Sequence, residues 1–517
     1  MPQIRDAMPQ VSVALYKTTS RASTGGGSVS GRYGSRSAYI DLTPFLQDGS
    51  SIHTSKSLRQ AAGAFSITLS DMPYQNLVID GTWNGTASSM PEMALETLYG
   101  LIEPQDMVEI RMWHGIGPMP DPLPIKMRGI ITDISRTQMM GQDGRPQRTV
   151  TLSGHDYGKF WQMYQVLYLP SYVAGGALLS TYAMAELFGT GVENALPAGE
   201  FVSRMINSVI NPFIADFMPQ FPQMPTEIKT DISVQRGTVG LSYQAMQGSI
   251  YDITKLHGDV GVWNELYLED REDGVYCVYR PTPAMELSQA MGGRGPLVMA
   301  DAPEPIDVPI YDDYIESVAM GRSDQDVANF YWVTNAMFDL NDTNSRKLFD
   351  LQAGNDTVFI PDYFNAAVRY YGVRPMYAET HQAGNATRNH TSGLKPAAQA
   401  QRGEQFMDWI TSRRIDMLNL NRDNVMFERG TARIKGGPMR ASGEAMKPGD
   451  YAVFYNGNFS WRGYVTQIDD EFRPFDSYMT TLTFERGTNF AQRTGQSGGA
   501  NSPWLLEQSM RGGEHEF

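Results

Sequence analysis

Pro104-Gln105-Asp106 opens a stretch that runs through an apolar segment to Trp113 and Gly115, continues as Arg128-Gly129-Ile130-Ile131-Thr132-Asp133-Ile134, and closes with Thr149-Val150-Thr151-Leu152 and Gly154. About 330 to 345 residues later the pattern returns: Pro448-Gly449-Asp450, an apolar segment to Tyr455 and Gly457, Arg462-Gly463-Tyr464-Val465-Thr466-Gln467-Ile468, then Thr480-Thr481-Leu482-Thr483 and Gly487. The features keep their order while the loops between them change length, as duplication of a small β-domain would leave them. The expected fold class is therefore α+β and β-rich, with two related antiparallel, tube-like β-barrel domains and mixed α/β domains inserted. Pro104 with Asp106, and Pro448 with Asp450, read as turn-setting residues ahead of a strand. The glycine of each Arg-Gly pair, Arg128-Gly129 and Arg462-Gly463, reads as a bulge or tight corner rather than a contact site.

Outward from the repeat, period-two alternation predicts strands over 11–17, 38–42, 52–57, 61–69, 107–113, 125–137 and 148–153, with a hairpin turn at 141–144. These make up a first barrel domain over 1–157. The period then changes, because Phe201, Met205, Ile206, Val209, Ile210 and Phe213 share one helical face, and Pro212 with Pro219 and Pro222 marks its exit. With a second helix over 249–260 and strands over 263–268 and 274–280, residues 158–300 form a mixed α/β insertion. The second barrel is assigned 301–336, including a strand over 329–335, and 425–487. Between its halves lies an inserted loop and helical domain over 337–424, whose helix at 397–422 packs through Phe406, Trp409, Ile410, Arg413, Met417 and Leu420. Residues 488–517 read as a flexible tail with an apolar island, Trp504-Leu505-Leu506, suited to docking on a partner.

The chain has 517 residues and a net charge of −15, which argues against stable nucleic-acid binding, since such binding rests on clustered Lys and Arg. An acidic surface does suit a protein that nucleic acid passes without adhering. A single cysteine, Cys277, excludes internal disulfides and multi-cysteine metal sites. No secretory signal is evident at the amino terminus, and the charge-free stretch 160–185 is too diluted by Pro, Gly and polar residues for membrane insertion.

Catalytic motifs are absent. No phosphate-binding loop occurs, the histidines lack ligand spacing, and His155-Asp156 has no nucleophile beside it. The oxygen-rich stretch 339–344 lacks the glycine and glutamate of a calcium loop. Asp469-Asp470-Glu471 offers the paired carboxylates of a glycosidase, as any acidic chain would. The expectation is a non-enzyme without cofactors; the rival reading is a carbohydrate-active β-rich enzyme or a receptor-binding adhesin. Two similar modules per chain also carry a geometric implication: three chains around an axis offer six quasi-equivalent faces, which matches a six-fold tube on one side and a three-fold body on the other.

Four further stretches carry a resemblance: the segment 62–69 (Ala62-Gly63-Ala64-Phe65-Ser66-Ile67-Thr68-Leu69); Arg128-Gly129 through Ile134 with Leu152 to Gly154; Ser323-Asp324-Gln325-Asp326-Val327-Ala328-Asn329; and Tyr371-Gly372-Val373-Arg374-Pro375. With the closing Tyr464-Val465-Thr466 hairpin, the chain resembles the baseplate hub proteins of contractile bacteriophage tails, themselves similar to the amino-terminal part of type VI secretion spike proteins. The resemblance implies a homotrimer with an axial channel for DNA, bound to the tail tube protein, the spike protein and other baseplate proteins. It implies a place in the virion and assembly in the host cytoplasm.

Overall fold

In the computed structural model the described residues are 9–16, 39–71, 98–114, 120–140, 144, 146–166, 195–217, 224–239, 248–283, 302, 304–335, 364–383, 396–456 and 459–488. Trp504, Leu505 and Leu506 lie outside them, as do most of the 141–144 turn and all of 339–344.

The amino-terminal strands are β1 (Gln10–Tyr16), β2 (Tyr39–Asp41), β3 (Ser51–Ser57), β4 (Ala64–Ser70), β5 (Met107–Trp113), β6 (Ile125–Met140) and β7 (Pro146–Asp156). The insertion contributes β8 (Gln165–Val166), β9 (Leu196–Pro197), β10 (Ile228–Ile232), β11 (Thr238–Val239), β12 (Gly248–Ser249), β13 (Asn264–Arg271) and β14 (Gly274–Pro281). The remaining strands are β15 (Asp307–Tyr311), β16 (Ile315–Gly321), β17 (Phe330–Asn335), β18 (Pro375–Thr380), β19 (Glu428–Lys435), β20 (Tyr451–Asn456), β21 (Phe459–Arg473) and β22 (Ser477–Thr488).

One 13-stranded sheet contains both repeats, in the order β16-β19-β22-β21-β3-β4-β7-β6-β5-β1-β2, with β20 on β21 and β15 on β20. The same path occurs twice: β5-β6-β7-β4-β3 in the first module and β20-β21-β22-β19-β16 in the second. Each module has its own apolar core. The first gathers Val13, Phe65, Ile67, Val108, Ile131, Val150 and Leu152; the second gathers Val308, Ala432, Phe454, Trp461, Val465, Leu482 and Phe484. The sequence reading expected two separate barrels. The described strands instead form one continuous, open sheet, because β3 of the first module hydrogen-bonds to β21 of the second.

The insertion buries a third core on the first module, with Phe201, Met205, Ile206, Val209 and Ile210 packed against Tyr157, Phe160 and Trp161. Of the three prolines read as its exit, the helix runs through Pro212 and ends at Phe217, ahead of Pro219 and Pro222. A π-helical turn, Met205–Ile210, precedes the helix Asn211–Phe217; widening of the ladder there accommodates the missing proline donor. The helix Ile250–His257 begins where the sequence indicates, with Ser249 Oγ accepting from the Asp252 amide at 3.0 Å.

A further correction concerns 329–335. Strand β17 pairs in parallel with β18, not with the second module, and both pack with the helix Pro396–Asn421 around Tyr331, Val333, Ile410, Met417 and Leu418. A parallel pair needs a long crossover, so its two strands lie far apart in the chain and alternation alone cannot match them. Asn329 ties this unit together. Its Nδ2 donates to the carbonyls of Ala366 (2.9 Å) and Gly372 (2.8 Å), and its Oδ1 accepts from the Arg374 amide at 2.7 Å. The motifs 323–329 and 371–375 thus meet through one buried side chain.

Candidate assembly edges

The repeat holds at the level of single hydrogen bonds. In the first module the Gln105 amide donates to Ile131 O (2.7 Å) and the Ile131 amide to Asp106 O (2.9 Å); in the second, Gly449 donates to Val465 O (2.7 Å) and Val465 to Asp450 O (2.9 Å). Gln105 and Gly449 both have positive φ, 77° and 95°. Asp106 accepts from the Glu103 amide at 2.8 Å, and Asp450 from the Lys447 amide at 2.9 Å. These carboxylates close the turns that follow Pro104 and Pro448. Thr132 and Thr466 occupy the same bulge, skipped between Ile131 and Asp133 and between Val465 and Gln467. One residue beyond the bulge pair, Ile134 faces Leu152 and Ile468 faces Leu482.

The glycines of the Arg-Gly pairs lie beneath aromatic rings. A Cβ on Gly129 would stand 2.6 Å from Phe65 Cε1, and one on Gly463 would stand 2.8 Å from Phe484 Cδ2. The rings come from different strands. Phe65 on β4 pairs with Gly154 on β7, whereas Gly430 on β19 pairs with Phe484 on β22. Gly154 therefore corresponds to Phe484 and not, as the sequence alignment has it, to Gly487. This difference makes a prediction. Gly463→Ala is expected to cost about 1–3 kcal/mol and to be largely rescued by Phe484→Leu, since its close contacts are all with that ring. Gly129→Ala is expected to resist rescue by Phe65→Leu, because the His155 carbonyl also lies 2.7 Å away. Chemical denaturation of the four variants checks both statements.

The seam between modules pairs Gln467–Phe472 of β21 with Ser57–Ile52 of β3. At its centre Asp470 is buried, accepting from Thr480 Oγ1 (2.6 Å), Tyr478 Oη (2.9 Å) and Lys126 Nζ (3.3 Å). This carboxylate, one of the acid trio that suggested glycosidase chemistry, is taken up in packing. Phe472 and Tyr478 enter the first module's core, so the tip of the second hairpin completes that core. His155-Asp156 is likewise structural: Asp156 pairs with Lys56 at 3.3 Å and accepts from the Gly158 amide.

By the same correspondence, the outer half of β6 is the counterpart of the half of β21 that receives β3. Its inner half pairs with β5, but among the described residues no strand pairs with that side of 132–140. This half is exposed, with Met139 and Met140 at 62% and 74%. Strand β16, the counterpart of β3, ends the sheet's strand order and, among the described residues, pairs with β19 alone. One chain thus carries both halves of a seam it has already formed once internally. Arg136 on β6 pairs with Asp71 at 2.7 Å, and Glu316 on β16 pairs with Arg433 at 2.8 Å. The equivalent Arg residues differ in cover: Arg128 is buried, bonded to Glu109 Oε2 at 2.9 Å and to the Arg271 carbonyl at 2.8 Å, while Arg462 pairs with Asp307 at 2.6 Å near the surface.

A second feature escaped sequence reading. Strand β13 lies across the seam with its charged residues inward. Glu265 accepts from Tyr464 Oη at 2.6 Å and from Arg280 Nε at 3.0 Å. Glu269 pairs with Arg440 at 2.8 Å, and Asp270 with Lys56. The Asp270 carbonyl accepts from Lys447, whose ammonium burial pulls down to about 8 against the opposing pull of Glu269 and Asp270. Arg440 and Arg271 hold the Glu269 carboxyl below its usual range despite its burial. Glu265 and Glu269 share one face with Tyr267, and Asp270 falls on the other with Leu266 and Leu268; acids on both faces of one alternating strand were the available signal that it is buried and paired on both sides.

Among the described residues no group of three or more His, Cys, Asp or Glu is arranged to hold a metal ion, and no helix is long and apolar enough to cross a membrane. Cys277 is buried, and desolvation pushes its thiol up, so it is an inert packing residue.

No protein-family model and no curated protein matches the chain. Solved structures do. The chain is similar to a tail protein from Neisseria meningitidis MC58, with 12% identity over 92% of this chain and 96% of that one and a TM-score of 0.41. It is similar to the 43 kDa tail protein of prophage MuSo2 from Shewanella oneidensis, with 10% identity, 92% and 96% coverage and a TM-score of 0.41. It is also similar to an E. coli component of the type VI secretion system that itself resembles T4 bacteriophage tail proteins, with 9% identity, 87% and 76% coverage and a TM-score of 0.33.

Proposed function

We propose that this protein is a structural hub of a contractile-tail baseplate, in which three copies close a ring around an axial channel. The observation that carries the reading is the internal seam. It is an edge-to-edge contact between two copies of one module, and the chain's outer edges offer the two complementary halves of the same contact. A head-to-tail contact of this kind closes into a ring when its rotation permits. Three chains then present six modules, so the sheet meets a six-fold tail tube while the inserted domains keep three-fold order towards the spike. The function is adaptation of symmetry without catalysis. The partners are a second and third copy, the tube, the spike and other baseplate proteins; DNA passes through the channel without being held. The protein works in the virion after assembly in the host cytoplasm.

The internal register sets the test. Glu471 faces His53 across the seam, and the corresponding residues of the outer edges are Thr137 and Ala319, both exposed. A Thr137→Cys/Ala319→Cys chain is expected to give, on oxidation in assembled particles, a ladder of covalent species ending at three chains. Absence of cross-linking, or a ladder that continues past three, overturns the ring.

A further inference from the structure

The modules share one strand pair, with Phe472, Tyr478 and the Lys126–Asp470 pair close beside it, and a strand pair by itself leaves the angle loosely set: neighbouring strands twist by anything from about −10° to −35°. A ring of fixed size needs a fixed angle. The chain has a second connection across its internal seam, the strand β13, which belongs to neither module.

Followed along its length, β13 grips first one module and then the other. At Glu265 it holds the second module, through Tyr464 of β21 at 2.7 and 2.6 Å. Arg280 of the adjacent β14 adds bonds to the Tyr464 hydroxyl and the Gly449 carbonyl, both at 2.9 Å. At Tyr267 it packs over the junction itself, on Leu58 from the first module and Tyr451 and Tyr464 from the second. Glu269 reaches Arg440 of the second module at 2.8 Å. Asp270 reaches Lys56 of β3 in the first. At the turn beyond, Glu272 takes Arg111 Nη1 at 2.8 Å and the Ile125 amide at 3.0 Å, both in the first module. From Glu265 to Glu272 is about 23 Å of extended chain.

We infer that β13 is a strut that fixes the angle between the two modules, so that each chain enters assembly already bent to the curvature of its ring. Its charges suit this task. Buried ion pairs add little net stability, because desolvation offsets their attraction, but they lock one register and reject others. The apolar face of the strand, Leu266 and Leu268, belongs to the insertion's core, so the strut is anchored to a rigid body. The seam between chains has no counterpart strut within the described residues and must accept the angle set inside each chain. The strut itself stands on contacts within one chain; its effect on ring size rests on the function proposed above.

The test frees both ends of the strut while sparing its core. Tyr464→Phe keeps the ring and removes the hydroxyl; Glu272→Ala removes a carboxylate whose side chain is 41% exposed. Spin labels at Gln147→Cys in the first module and Lys435→Cys in the second, both exposed, report the distance between modules, since Cys277 is buried. The full-length parent is expected to show one narrow distance, and the double variant a distribution at least twice as broad at unchanged helix and sheet content. If the double variant does not fold, each single variant must broaden the distance. An unchanged width in the folded variants overturns the strut. If the parent shows no three-chain ring, the hub reading fails while the distance measurement still decides the strut.

Discussion

Arg440→Ala is expected to lower the stability of the chain by about 3–5 kcal/mol, the cost of removing from a buried ionic cluster the cation that bridges Asp450 and Glu269. Arg440 lies in the loop between β19 and β20, with its Nε and Nη2 on the two oxygens of Asp450 at 2.8 and 3.0 Å and its Nη1 on Glu269 at 2.8 Å. All three residues are buried. Alanine leaves two carboxylates facing each other out of reach of water, and Asp450 is also the residue that closes the turn after Pro448 through the Lys447 amide. Arg440→Lys should recover only part of the loss, because a single ammonium does not reproduce a planar fork that spans two partners. Denaturant unfolding followed by tryptophan fluorescence measures both. A loss below about 1 kcal/mol for the alanine variant would mean that the cluster is hydrated and contributes as surface pairs do.

Gly430→Val should act on assembly more than on the folded chain. A Cβ at this position would stand 1.9 Å from the Ala319 carbonyl oxygen and 2.8 Å from the Met320 Cα, so the neighbour that must move is backbone. Strand β16 can yield only by leaving β19, and β16 is the edge that the ring reading assigns to contact with the next copy. The expected outcome is a folded chain, slightly less stable, that no longer forms three-chain species and no longer cross-links through Thr137→Cys and Ala319→Cys. Gly321→Ala on the same strand meets nothing within 4 Å and serves as the control for chain stability. A Gly430→Val protein that still assembles would remove β16 from the interface.

Much of the architecture was legible in the sequence because apolar alternation and turn residues are local signals. The strands of the first module follow from period two and most of those of the second from the repeat, and the correspondence of Pro104-Gln105-Asp106 with Pro448-Gly449-Asp450 is reproduced bond for bond. What escaped reading depends on pairing at a distance. Nothing in Ile52 or Thr54 announces that β3 joins β21 more than 400 residues away. Strand β17 was assigned to the wrong neighbour for the same reason: its alternation shows that it is a strand but not which strand completes it. The strut was hidden because Glu265, Glu269 and Asp270 look solvated until their cations Arg280, Arg440 and Lys56, drawn from three separate parts of the chain, are in place.

The exchange of ring and glycine between the two modules has an evolutionary corollary. In the amino-terminal half the phenyl group is carried by β4, paired with a glycine of β7; in the carboxy-terminal half it is carried by β22, paired with a glycine of β19. A crossover between the duplicated coding segments that joined β4 to β22 would force two phenyl groups into one slot. The reciprocal product would leave that slot empty. A hybrid of the two halves would therefore fold less well than either parent half, so the exchanged ring and glycine make each half compatible only with strands of its own kind.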